Sequence, residues 1–109
     1  MNWTLKFLPE AEKDLNSLVE NQRILVTKAI EKVRQNPLSV YEGGYCKLLG
    51  NKDKNDFYGF WKIKLRRAGF RVVYKVIKTQ TEMVFVIIGA RADDEVYQLA
   101  GKRIKKYEL

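Results

Sequence analysis

Histidine is missing from all 109 residues, and with it the commonest metal ligand and the base of Ser-His-Asp chemistry. Cysteine occurs once. Cys46 therefore has no thiol partner for an internal disulfide and no histidine or second thiol with which to share a metal, and it reads as a small residue in a loop. There is no GxxxxGK[ST] loop and no GxGxxG fingerprint to cradle a nucleotide. Neither a metal nor a cofactor is expected. No stretch approaches the roughly 18 consecutive apolar residues of a membrane span, and Met1-Asn2-Trp3-Thr4 lacks the basic and apolar segments of a secretory signal. The expected location is the cytoplasm, without a membrane partner. Acidic residues are in short supply, 13 against 21 lysines and arginines, which leaves a formal charge of +8. Such a surface favours an anionic partner, and charge alone does not choose among nucleic acid, an acidic protein and a lipid surface.

What is present suffices for one domain spanning residues 1–109, since 46% of the chain is hydrophobic. In Asn2 to Phe7, Trp3, Leu5 and Phe7 alternate with polar residues as in a short strand. Pro9 then suits a first helical position, and Leu8, Ala11, Leu15 and Leu18 share one helical face. Ile24, Leu25, Ala29, Ile30 and Val33 repeat at helical spacing up to Asn36-Pro37, where proline ends the second helix. The two helices form an amphipathic hairpin that packs on a sheet. Residues from Pro37 to Phe57 read as a long loop, with Gly43-Gly44, Gly50-Asn51 and a polar run from Lys52 to Asp56. Glu82 to Ile88 is apolar without alternation, the pattern of a strand buried on both faces inside a sheet. Asp93 or Asp94 is placed to cap a last helix that turns Val96, Leu99, Ala100 and Ile104 inward. The order β-α-α-β-β-β-α predicts an α+β fold with a mostly antiparallel four-stranded sheet, an N-terminal helical hairpin and a C-terminal helix.

Between the loop and the buried strand, Trp61-Lys62-Ile63-Lys64-Leu65-Arg66 alternates apolar and cationic residues, and Phe70 to Ile77 supplies the other arm of a hairpin. A register with Leu65 opposite Phe70 gathers Trp61, Ile63, Leu65, Phe70, Val72 and Tyr74 on one face. Lys62, Lys64 and Arg71 then share the other. A slip of one residue would drive the lysines among the aromatic residues, which burial disfavours. Clustered lysine and arginine bind phosphate and stabilise the charge of a phosphorane, and a nearby tyrosine hydrogen-bonds, stacks on a base or transfers a proton. On the residues alone three readings stand: a solvated basic face, nucleic-acid binding without chemistry, and phosphodiester cleavage.

Lys47-Leu48-Leu49-Gly50, Trp61 to Arg66, Gly69 to Tyr74, Val84 to Gly89, Arg91 and Glu95-Val96-Tyr97 together resemble the RelE branch of the RelE/ParE toxin superfamily. The resemblance implies a small toxin, held inactive by a RelB-like antitoxin, that enters the ribosomal A site and cleaves mRNA as a metal-independent endoribonuclease. Attack of the RNA 2′-OH on the adjacent phosphate would inhibit translation. It implies catalytic roles for Lys62, Lys64, Arg71, Arg91 and Tyr97, with RNA contacts expected from Arg66, Lys75, Lys102 and Arg103. Tyr97 would stack on or orient the displaced nucleotide. At Asp93, where some relatives carry a basic residue, this chain is acidic. The alternatives are a ParE-like inhibitor of DNA gyrase and a non-catalytic RNA- or ribosome-binding module.

Overall fold

The alternation at the start of the chain becomes β1 (Thr4–Phe7), and Pro9, whose missing N–H costs nothing in a first turn, opens α1 (Pro9–Asn16). α2 (Glu20–Arg34) stops short of Pro37. β2 (Lys47–Lys52), β3 (Asn55–Leu65), β4 (Phe70–Ile77), a 3-10 turn at Lys78–Gln80, β5 (Glu82–Gly89) and α3 (Asp93–Lys106) complete the chain. The computed structural model describes residues 3–37, 47–52, 55–65, 69–89 and 93–109. Cys46, Arg66 and Arg91 fall outside them.

The strands form one sheet in the order β1-β5-β4-β3-β2, parallel only where β1 meets β5. The α+β class and the mostly antiparallel sheet are as expected, and four strands stand where alternation and apolar runs put them. β2 is an addition, drawn from the segment expected to be loop, and β3 begins six residues ahead of Trp61, with Lys52 paired to Asn55. As an edge strand β2 needs only one ladder, so backbone pairing forms it without an alternating pattern. A register shift lies between Leu48 and Gly50. α3 starts at Asp93, so Asp93 and Asp94 both belong to the helix instead of preceding it as its cap.

The β3–β4 hairpin adopts the predicted register: Leu65 is opposite Phe70, Ile63 opposite Val72 and Trp61 opposite Tyr74. Its turn is closed by the Gly69 N–H donating to the Leu65 carbonyl at 2.8 Å, with Gly69 at a φ of 76° that favours glycine. The face bearing Tyr74 receives the helical hairpin. The Tyr74 hydroxyl donates to the Pro37 carbonyl at 2.8 Å, just beyond α2, while Phe85 stacks on Phe7 at 4.7 Å. Val26, Ile30 and Val33 of α2 are buried. On the opposite face Phe60, Val73 and Ile87 are buried, and α3 crosses β3, β4 and β5. There Val96 Cγ2 lies 3.3 Å from the point a Cβ on Gly89 would occupy, so the helix rests close on the strand. β5 is buried from Met83 through Ile88 and lies inside the sheet, as its unbroken apolar run required. Among the described residues no helix is long and apolar enough to cross a membrane.

Candidate functional site

Antiparallel pairing puts direct partners on the same side of a sheet, so the register assigns the cations to one face. Lys64 is opposite Arg71, and Arg71 is opposite Gly89 on the next strand. These three positions form a row across β3, β4 and β5, with strands about 4.8 Å apart. Lys62 stands two residues back along β3, roughly 7 Å away, paired with Val73 on one side and Lys47 on the other. Lys62, Lys64 and Arg71 are all half-buried, and the Arg71 Nη1 donates to the Phe70 carbonyl at 3.2 Å. Like charges placed directly opposite weaken a hairpin taken alone. Two cations so placed can hold an anion between the strands. The row ends at Gly89, and Arg91 follows two residues later in sequence.

The other expected residues divide. Lys102 is exposed on α3. Arg103 is not: only 9% exposed, its Nη1 donates to Asp14 Oδ2 at 2.6 Å and to the Val86 carbonyl at 2.9 Å. Its guanidinium is committed inside the protein, which corrects the expected RNA contact. Lys75 is likewise drawn inward, donating from Nζ to the Leu109 carbonyl at 2.9 Å with its ammonium 5.6 Å from the Phe60 ring centre. It sits toward the other end of the sheet face from the Lys64–Arg71 row. Tyr97 is 1% exposed and belongs to the packing between α3 and the sheet, so in this conformation its ring offers no platform for a base.

Helical spacing held a signal for Arg103 that the expectation passed over. Val96, Ala100, Arg103 and Tyr107 repeat at four, three and four residues, so Arg103 lies on the inward stripe of α3. Tyr107 closes the end of that stripe on α1. Its hydroxyl donates to Glu10 Oε1 at 2.6 Å, and Lys106 Nζ meets Glu10 Oε2 at 2.9 Å. The tyrosine hydroxyl first and the ammonium second hold the Glu10 carboxyl down at about 2.

Comparison with known proteins shows the family and the fold. Residues 5–95 match the family model described as the ParE toxin of type II toxin–antitoxin systems, parDE. The chain belongs to this RelE/ParE family of type II toxins, in its RelE branch. The toxin is 33% identical over 104 residues to the mRNA interferase toxin RelE of Escherichia coli K12, covering 95% of this chain and 99% of that one. A doubly substituted form of E. coli RelE in the free state superposes with a TM-score of 0.69 at 29% identity, over 95% of this chain and 99% of the other. The toxin chain of the intact E. coli RelBE toxin–antitoxin complex gives 0.65 at 27% identity, over 83% and 98%.

Proposed function

We propose that the toxin is a metal-independent endoribonuclease that cleaves mRNA in the ribosomal A site and so stops translation. The observation that carries this reading is the row of Lys64 and Arg71 with Lys62 beside it, on one face of a RelE-type sheet. The kinship with a protein named an mRNA interferase supplies the substrate class. The 2′-OH on the 5′ side of the scissile bond attacks the adjacent phosphorus, the P–O5′ bond breaks, and the products are a 2′,3′-cyclic phosphate and a 5′-hydroxyl. The RNA supplies its own nucleophile, so no activated water is required. Arg71 and Arg91 hold the non-bridging oxygens and stabilise their added charge, while Lys62 and Lys64 assist removal of the 2′ proton and its delivery to the leaving oxygen. Arg66 and Lys102 contact the RNA-rich surroundings through the sequence-independent electrostatic term. Tyr97 is buried in the packing of α3, so stacking of its ring on a nucleotide requires that helix to lift from the sheet.

No strong base belongs to this set, so the ribosome contributes substrate geometry and cleavage of isolated RNA is weak. A RelB-like antitoxin restrains the toxin in the cytoplasm, a proposal supported by the RelBE complex whose toxin chain this one resembles. The test is to present purified ribosomes carrying a defined mRNA and an empty A site. Cleavage within the A-site codon, leaving a 2′,3′-cyclic end, is the expected result. Intact mRNA on arrested ribosomes would favour a binding-only module, and cleaved DNA trapped on gyrase would favour ParE-like action.

A further inference from the structure

β1 covers β5 only from Glu82 to Phe85, and the Leu8 N–H extends the pairing by one bond to the Phe85 carbonyl. Beyond that point the outer edge of β5 is served by side chains. Arg103 Nη1 donates to the Val86 carbonyl at 2.9 Å, and the Ile88 N–H donates to Asp14 Oδ2 at 3.2 Å. Arg103 and Asp14 are joined at 2.6 Å, with a second contact from Nη2 to Oδ1 at 3.4 Å. Together they offer the strand one donor and one acceptor, as a neighbouring strand would.

The inner edge of β5 carries an irregularity at the same place. Tyr74 pairs with Phe85 and Val73 with Ile87, so Val86 is an extra residue and the register shifts by one. Because side chains alternate between faces, that one residue decides which side of the sheet the rest of β5 presents. With the bulge, Gly89 stands opposite Arg71 and leaves room for Val96 above it. Without it, the Phe85–Tyr74 register continued would set Ile88 opposite Arg71, an aliphatic side chain in the cationic row. The bulge and its two side-chain partners lie just ahead of the segment that holds Arg91.

We propose that the Asp14–Arg103 pair pins the Val86 bulge and thereby positions the end of β5 for catalysis. Ion pairs out of water are commonly replaceable by apolar residues, but this pair also serves two backbone groups of β5. An apolar replacement here would strip the Val86 carbonyl and the Ile88 N–H of these partners. Asp14 and Arg103 are positioning residues, since neither touches substrate. The inference rests on the proposed mRNA cleavage.

The experiment compares wild type, Asp14→Ala, Asp14→Asn and Arg103→Lys in single-turnover cleavage of A-site mRNA, with amide hydrogen exchange at Ile88 as a second readout. Misplacement by about 1 Å is worth up to ~100-fold in rate, so Asp14→Ala should cut roughly 10- to 100-fold more slowly, with ribosome affinity within about twofold and the Ile88 amide exchanging faster. Asp14→Asn retains a carbonyl acceptor and Arg103→Lys a single donor, so both should recover part of the rate. They also keep the test decisive should Asp14→Ala fail to fold. Wild-type cleavage rates in folded variants whose Ile88 amide has lost protection would overturn the positioning role. Failure of the wild type itself to cleave would instead sink the proposed function.

Discussion

The Tyr74→Phe substitution removes the hydroxyl that ties the sheet to the end of the helical hairpin. Tyr74 is fully buried, and its hydroxyl donates at 2.8 Å to the carbonyl of Pro37, itself buried just beyond α2. Phenylalanine keeps the ring, so the tilted contact with Phe85 at 5.7 Å survives. The loss includes this buried neutral hydrogen bond and the partner of a buried carbonyl, together about 1–2 kcal/mol. For a domain of this size that corresponds to a fall in melting temperature of roughly 4–8 °C. Thermal unfolding followed by circular dichroism measures the loss, and single-turnover cleavage at 25 °C should be unchanged per folded molecule. A melting temperature within about 1 °C of wild type would refute the structural role. Slower cleavage by fully folded protein would show that the bond does more than hold the hairpin.

Gly69→Ala tests the turn beneath the cationic row: its φ of 76° is unfavourable with a side chain while nothing lies within 4 Å of the added Cβ, so backbone strain alone should act. The expected loss is roughly 1 kcal/mol, read as a lower urea midpoint at unchanged slope. Glu10, whose carboxyl is lowered to about 2 from 4.5, contributes stability in full above about pH 4.5 and loses it as pH falls through about 2. Melting temperature should drop across that window in wild type and more gently in Glu10→Gln, and parallel curves would remove Glu10 from the account.

Much of the architecture was legible because burial writes itself into period. The alternation of Trp61, Ile63 and Leu65 with lysines determined both the hairpin register and the face on which Lys62, Lys64 and Arg71 meet. β5 announced itself by the opposite sign, an apolar run with no alternation. β2 did not, since an edge strand formed through one backbone ladder, with a register shift between Leu48 and Gly50, needs no alternation in its sequence. Site residues were legible only by type. Lysine and arginine look alike in sequence whether they face RNA or a buried carboxylate, and the difference for Arg103 lies in Asp14, 89 positions away along the chain. The bulge at Val86 is equally silent, because a run that is apolar on both faces hides a slip of one residue. Tyr97 is the reverse case: its place on the last helix was readable, and its burial against the sheet depends on how closely α3 settles onto it.

The central claim is that the cationic row does chemistry and not merely docking, a distinction that a charge of +8 obscures because so many cations would hold an RNA-rich particle whether or not it is cut. Single-turnover cleavage of A-site mRNA, measured beside ribosome affinity at fixed salt for wild type, Lys64→Ala and Arg71→Ala, separates the two. Loss of one transition-state contact costs about 3 kcal/mol, so each variant should cut ~100-fold more slowly at saturating ribosome while affinity changes by only a few fold. Cleavage at the wild-type rate once the variants are saturated, with all of the defect residing in affinity, would contradict the account.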